Sequence, residues 1–463
     1  IAQSEQQCGG RLVVAVREAW GSRFGFIMAT AGFAVGLGNI WRFPYMTGMN
    51  GGGAFLLVYL LIVAVIGVPL MMIEVGLGRK AQLSPIAGMA TLLGSRTNPW
   101  NVIPWMGMTA AVAINAYYVM LIGWIVGYFV MALSGDLNSM PADQLQVAFT
   151  TFTTTPGPLV FYTLLSLGVM TLIISRGLGI GLERLARVAM PMLFVLMIVL
   201  AIQSMTLPGA KEGLAWFLTP DFSRINATMV LAALGQAFFS LGVGMAAGFA
   251  FGGYMHPRES DVPGNIAIVV ACDTGVAILA GLVIFPALFA FNIAPDAGPG
   301  LLFVTMPQLF GQMPGGVFFG VAFFFLLLLA GITSAIAIFE VIVASLMDGY
   351  GVSRAKASLT AGGMWAVLST LVILGEGPWS GVRAWGLTLF GLIDAVTTNF
   401  LLPAGGLALV LYTVVVWKFD GFRDDVNVGA GRLRITGLLR PAVLILIPIA
   451  VGLVLLTSLG LIR

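Results

Sequence analysis

Ala31–Pro44 (AGFAVGLGNIWRFP) lies inside an apolar stretch long enough to cross a membrane, yet it carries Gly32, Gly36, Gly38, Asn39, Arg42 and Pro44. A helix that only spans lipid has no use for such residues. Gly36 and Gly38 weaken a helix at mid-span. Unwinding there frees backbone N–H and C=O groups, which are costly in lipid unless they line a polar site. Broken helices at the bilayer midplane are a common way for secondary transporters to hold ions and solutes.

The rest of the composition agrees with a membrane setting. Charged residues make up 9% of the 463 and apolar residues 59%, against about 25% charged in soluble proteins. Mean hydropathy is +1.01. A soluble domain could not hide that much apolar surface. A spanning helix needs about 20 residues. Eleven such runs are expected, near 22–48, 53–77, 100–133, 158–175, 182–206, 228–253, 262–291, 315–347, 357–374, 382–417 and 439–461. The longest of these imply tilt or kinks rather than extra spans.

Alternating these spans from a cytoplasmic N-terminus puts seventeen of the 22 Lys and Arg residues inside and five outside. That bias supports both the count and the orientation, with the C-terminus outside. The net charge of +3 then reflects topology, and nucleic acid is excluded as a partner. Cys8 falls in the cytoplasmic tail and Cys272 within a span, so no disulfide is expected. Ile1–Gly10 is polar and lacks the charged-then-apolar order of a signal peptide.

A second interrupted span follows five spans later. Gly235–Tyr254 (GQAFFSLGVGMAAGFAFGGY) places Gly242 and Gly244 at mid-span, with Gln236 and Ser240 nearby. Two five-span sets, each led by a glycine-broken helix, have the form of inverted repeats. The fold expected is therefore all-α and polytopic, with eleven transmembrane helices and discontinuous helices 1 and 6. Residues 1–20 form a cytoplasmic segment. Residues 21–417 form the core, its halves at about 21–206 and 228–417. Residues 418–463 form a loop and the eleventh helix.

Ionisable groups inside spans are functional candidates. Glu74, Asp273, Glu340 and Asp394 are the four, and Thr333 and Ser334 sit in the eighth span. Sodium takes about five or six hard oxygens, by analogy with other hard cations, which unwound carbonyls, hydroxyls, an amide and a carboxylate can supply. Nothing here suits a transition metal. His256 is the one histidine and falls in a cytoplasmic loop. Thr333 and Ser334 could instead bond back to their own helix.

AGFAVGLGNIWRFPY and then NGGGAF at Asn50–Phe55 closely resemble the neurotransmitter:sodium symporters, including the bacterial leucine and hydrophobic amino acid transporters. The resemblance continues in AYYVMLIGW (Ala116–Trp124), RGLGIGLERLARVAMP (Arg176–Pro191), GQAFFSLGVG (Gly235–Gly244) and AGITSAIAI (Ala330–Ile338). It implies ten core helices as two inverted five-helix repeats. It also implies two sodium sites. One would use the Ala34 carbonyl, Asn39, Ser240, Asp273 and the substrate carboxylate. The other would use the carbonyls of Gly32, Val35 and Ala330 with the Thr333 and Ser334 hydroxyls. Chloride-dependent relatives carry a neutral amide at the Asp273 position, so a fixed charge here implies chloride independence. A gap-free count places Cys272 there, but a count back from Gly281 places Asp273, the better sodium ligand. Tyr59, Gln236 and Ser240 remain from the chloride site, and Ala277 replaces a serine. Without sodium, so deep a carboxylate takes up a proton, which makes proton counter-transport an expectation.

By the same resemblance, the substrate carboxylate meets the N–H groups of Leu37 and Gly38 and the Tyr118 hydroxyl. The amino group meets carbonyls near Ala34, Phe239 and Ser240. Ile114, Phe239, Gly242, Met245, Ser334 and Ile338 set selectivity for a neutral, hydrophobic amino acid. Gly242 and Met245 imply more, or more adaptable, room than in the leucine transporter. Arg42 and Asp394 match the outer gate pair, with Phe239 as a lid. Arg17 and Asp348 match the inner pair, with Trp20 and Tyr254 beside them. The Gly181–Pro191 spacing is the one that lets the fifth helix unwind in relatives, admitting water to the second sodium site. Glu74 and Glu340 are expected to serve structural hydrogen bonds.

Other classes fit less well. Asp273 and Asp394 lack the Gly-x-Gly-Asp motif of an aspartyl intramembrane protease, and no intramembrane histidine serves a serine one. An enzyme is not expected. A symporter of another zwitterion (polar, cyclic or β-amino acid), or a non-transporting amino acid sensor, is the alternative. The expected setting is the bacterial inner membrane.

Overall fold

The computed structural model describes residues 7–8, 11–12, 18–257, 260–295, 302–459 and 461. Apart from a ladder pairing Gln7–Cys8 with Arg11–Leu12, its regular elements are helices. Among the described residues, nine helices are long and apolar enough to cross a membrane, or ten counting one bent pair. The bent pair is α1 (Arg23–Ala34) and α2 (Gly38–Met49), inclined at 46°. Then follow α3 (Gly53–Ala81), α4 (Pro99–Ser134), α5 (Pro156–Ser175) and α6 (Leu178–Met205). The sixth apolar run is divided into α7 (Ala227–Leu241) and α8 (Ala247–Gly252). Neither piece alone is long enough to span, so this run is absent from the nine. The chain continues with α9 (Val262–Ala290), α10 (Gly316–Tyr350), α11 (Arg354–Glu376), α12 (Leu389–Trp417) and α13 (Gly437–Ser458).

The kinks expected in the long spans have a shared cause. Wide turns of the π type end at Arg42, Gly67, Leu401 and Leu446. A proline follows two residues after each, at Pro44, Pro69, Pro403 and Pro448. Proline offers no N–H to the carbonyl four residues back, and its ring crowds that carbonyl. One extra residue in the preceding turn relieves the crowding, which is where such turns and helix bends occur.

The break between α7 and α8 is written in left-handed backbone. Gly242, Gly244 and Ala246 have φ of 62°, 86° and 60°. Glycine adopts this freely, but alanine does so at a cost of order 1–3 kcal/mol, held by its surroundings. Below the break, α8 packs backbone to backbone on α3. A Cβ at Gly78 would lie 1.9 Å from the Phe249 carbonyl oxygen, and one at Gly252 would lie 2.1 Å from that of Val75. The two glycines let the helices interlock, as small residues do between membrane helices. On the outer side, Leu165, Leu172, Val188, Val195 and Ile202 of α5 and α6 are exposed, as a lipid-facing surface requires.

Gly252→Val is therefore expected to lower the thermal midpoint in detergent, at about 1–3 kcal/mol for forced overpacking. Gly275→Ala, with open space beside its Cα, should leave the midpoint unchanged.

Candidate functional site

The two breaks face one another at the centre of the molecule, and polar side chains take up the backbone groups they free. In the first break, Leu37 N–H donates to the Tyr118 hydroxyl at 2.9 Å, and Gly36 N–H donates to Asn39 Oδ1 at 3.1 Å. Gln236 Nε2 donates to the Gly38 carbonyl at 2.8 Å. In the second break, Gly244 N–H donates to Glu74 Oε2 at 3.4 Å, while Glu74 Oε1 has no partner. Glu74 thus props the broken helix, in line with a structural hydrogen-bonding role.

Asn39, Ser240 and Asp273, drawn from three segments, form one cluster. Asn39 Nδ2 donates to Asp273 Oδ1 at 2.7 Å, to the Asp273 carbonyl at 2.9 Å and to Ser240 Oγ at 3.1 Å. Ser240 Oγ donates to the two carboxylate oxygens at 2.9 and 3.1 Å, and Tyr59 OH reaches Oδ2 at 3.4 Å. Ala34 is buried nearby in sequence, at the end of α1. Asp273 is fully buried and, among the described residues, belongs to no ion pair within 4 Å. Cys272, its neighbour, is only partly buried and takes no part in the cluster.

A second cluster forms where α10 crosses the end of α1. Ser334 Oγ donates to the Gly32 carbonyl at 2.9 Å and lies 3.3 Å from that of Val35. Thr333 Oγ1 bonds back within α10, to Leu329 at 2.9 Å and Ala330 at 3.1 Å. Yet Thr333 Cβ would sit 3.3 Å from a Cβ on Gly32, so its side chain borders the same carbonyls. The self-bonding alternative thus describes Thr333 but not Ser334.

Tyr118 and Ser334 both press on Gly36, each hydroxyl 2.5 Å from where its Cβ would be. Any side chain at position 36 would have to displace both hydroxyls. The Phe239 ring lies 3.1 Å from the corresponding point on Gly38, and the Arg42 guanidinium lies 4.9 Å above that ring. Ile114, Met245 and Ile338 are buried. The room expected beside Gly242 is taken by Phe33, whose ring lies 2.1 Å from where a Cβ would stand. Phe33 is a wall residue that the sequence did not point to, although it sits two residues before the break.

The two ends of the molecule differ. Arg42 and Asp394 are not joined to each other. Arg42 Nη1 donates to Gln236 Oε1 at 3.1 Å, and Asp394 Oδ1 accepts from Tyr117 OH at 3.1 Å. At the other end Trp20 donates its indole N–H to the Phe251 carbonyl at 2.9 Å and its backbone N–H to that of Tyr254 at 3.2 Å. Asp348 Oδ2 accepts from Ser84 N–H at 2.7 Å. Arg17 lies outside the described residues. A network absent from the sequence reading completes this end. Arg354 binds Glu340 at 2.7 Å and Glu18 at 2.6 Å, and Tyr254 OH donates to Glu340 at 2.6 Å. Glu340 was expected to hydrogen-bond structurally; here it does so within an ion pair.

A helical membrane protein with two facing broken helices and buried oxygen clusters between them is a secondary transporter in architecture. The sodium:neurotransmitter symporter family matches residues 17–153 and 142–461. The chain belongs to that family, and is a sodium-dependent symporter embedded in a membrane rather than an enzyme. It is 34% identical over 418 residues to an uncharacterized sodium-dependent transporter of Haemophilus influenzae, covering 88% of this chain and 91% of that one. It is 37% identical over 393 residues to the uncharacterized sodium-dependent transporter YhdH of Bacillus subtilis, covering 85% and 86%. The crystal structure of MhsT in complex with L-phenylalanine matches with a TM-score of 0.88 and 38% identity, over 96% of this chain and 100% of that one.

Arg354→Met should destabilise the protein by about 3–5 kcal/mol by stranding the buried Glu340 carboxylate. Adding Glu340→Gln should recover most of that loss. Thermal midpoints of the single and double variants decide it.

Proposed function

We propose that the protein imports a neutral hydrophobic amino acid together with two sodium ions by alternating access. The observation that carries this reading is Asp273, a fully buried carboxylate that forms no ion pair with any described residue. An isolated buried charge is costly and is neutralised by a cation or a proton. Asn39, Ser240 and the Ala34 carbonyl would complete that cation's oxygen shell, the Asn39 amide turning its oxygen to the ion. Gly32, Val35 and Ala330 carbonyls with Thr333 and Ser334 would hold the second ion.

The substrate carboxylate takes the place at Leu37, Gly38 and Tyr118, where unwound N–H groups favour an anion. It would reach the first sodium from there, which couples the two loads. The amino group is assigned to the carbonyls of Ala34, Phe239 and Ser240. Apolar walls at Ile114, Phe239, Met245 and Ile338 favour an apolar side chain, and the phenylalanine bound by MhsT supports that class. Gly242 acts here through its backbone. Another zwitterion, or binding without transport, is the outcome that would replace this reading.

Asp273 supplies the negative charge that an anion would otherwise bring, so chloride is not required. When sodium leaves, a proton takes its place on the carboxylate and returns with it. Arg42 with Asp394 outside, and Arg17 with Asp348 inside, are the gate pairs that close in turn. The interrupted α7–α8 run serves as the sixth of eleven crossings, in two inverted five-helix sets at about 21–206 and 228–417, flanked by 1–20 and 418–463. This places the N-terminus in the cytoplasm and the C-terminus outside the bacterial inner membrane.

In proteoliposomes an inward sodium gradient should drive saturable uptake of labelled phenylalanine, leucine or tryptophan in chloride-free buffer. Saturable binding with no uptake would identify a sensor instead, and uptake of only polar or non-α-amino solutes would overturn the pocket assignment. Asp273→Asn should make uptake depend on chloride and abolish the accompanying outward proton movement, read by an internal pH dye. Wild-type uptake that needs chloride would refute the role given to Asp273.

A further inference from the structure

The segment that joins α12 to α13, residues 418–436, is moored against the end of α3. Arg79 there is 5% exposed. Its guanidinium donates to the Val428 carbonyl at 2.7 Å, to the Ser260 carbonyl at 2.8 Å and to the Asp425 carbonyl. Asp425 and Val428 flank the end of a short helix, Phe419–Val426, where the last carbonyls favour a cation. Phe419, Phe422 and Val426 of that helix are buried, and Lys80 pairs with Asp425. Asn427 closes the remainder. Its side chain accepts from Ile435 N–H and donates to the Ile435 carbonyl, both at 2.8 Å. Residues 428–434 thus form a loop anchored at both ends.

The charges on this loop are not balanced locally. Asp420 and Asp424 pair with Arg423 at 3.1 and 2.8 Å. Asp261, against which Gly431 lies, pairs with Arg23 at 3.3 Å. With Asp425 taken by Lys80, each of these carboxylates already has a cation. Arg440 lies over the Phe419 ring at 5.8 Å and 3.8 Å from Asp420. Arg432 and Arg434 are exposed and pair with no carboxylate among the described residues.

Apolar side chains are interspersed with these two arginines. Leu433, between them, is 55% exposed, and Leu438 is 88% exposed. Leu438 stands in the first turn of α13, which begins at Gly437, so it marks where that helix enters the hydrocarbon. Arg432 and Arg434 precede it by six and four residues. Long arginine side chains at such a boundary extend into the headgroup layer.

We propose that Arg432 and Arg434 hold the phosphate of an anionic phospholipid, with Leu433 and Leu438 among its acyl chains. Guanidinium groups match phosphate oxygens through paired N–H bonds. Basic residues bordering a spanning helix attract anionic lipid. Because the loop is moored through Arg79 and Asn427, the bound lipid braces α3, α12 and α13 at that end of the molecule. The site is independent of which solute or ion the transporter carries.

Native mass spectrometry of the purified protein tests the site, with phosphatidylglycerol and phosphatidylcholine of the same acyl chains as probes. The wild type should retain phosphatidylglycerol in preference, and high salt should erase that preference. Its affinity should fall about thirtyfold in Arg432→Gln/Arg434→Gln, the loss of two cations at an anionic surface. Arg432→Lys/Arg434→Lys should keep most of it. Thermal midpoints give a second readout. Phosphatidylglycerol should raise the midpoint of the wild type but not that of the Gln variant, and the two should melt alike in phosphatidylcholine. Equal retention or equal stabilisation by phosphatidylglycerol in wild type and Gln variant would overturn the proposal, as would a preference that salt does not weaken. Inorganic phosphate that displaces the lipid at equal concentration, or stabilises the wild type as the lipid does, would replace the lipid with a soluble anion.

Discussion

Backbone polar groups inside a bilayer have no water to fall back on, and each one left unpaired costs several kcal/mol. This chain breaks two helices at that depth, and much of its centre is arranged to meet the cost. Tyr118, Asn39, Gln236, Ser334 and Glu74 each take up a backbone group that the breaks release. The same bonds leave carbonyl, hydroxyl and carboxylate oxygens directed inward. In the reading proposed above, structural support and ion coordination are two uses of one set of atoms. Two hydroxyls already stand 2.5 Å from where a Cβ on Gly36 would be, and a Cβ on Gly38 would need the Phe239 ring to shift by a few tenths of an ångström.

The two ends of the molecule are held by forces of different kinds. At one end, Arg42 donates to Gln236 and Asp394 accepts from Tyr117, while the buried Arg42 Nε has no hydrogen-bond partner among the described residues. At the other end, Trp20 is fixed by two backbone carbonyls, and Arg354 ties Glu18 to Glu340. Buried pairs of this kind contribute little net stability when complete but are costly to leave half-made. They make a partial separation of that end costly.

Much of this architecture was legible in the chain. Ten of the eleven apolar runs return as helices or a bent pair, and the glycines of Ala31–Pro44 and Gly235–Tyr254 mark both breaks. What could not be read depends on residues far apart in sequence. Arg354 reads as one more cytoplasmic cation, and only folding brings Glu18 and Glu340 to it. Gly242 reads as a vacancy, because sequence cannot show that Phe33, more than 200 residues earlier, fills the space. Thr333 and Ser334 look equivalent, yet one bonds within its helix and the other reaches α1, since adjacent helical positions point about 100° apart.

The measurement that bears most directly on the account is a count of sodium ions bound per polypeptide at equilibrium, with and without L-phenylalanine, in chloride-free buffer. Two ions per chain are predicted with the amino acid present, falling to one in Ser334→Ala, with potassium unable to substitute. Binding of the amino acid that proceeds equally well in potassium, or a wild-type protein that holds no sodium, would contradict the claim that the two broken helices are built around the ion.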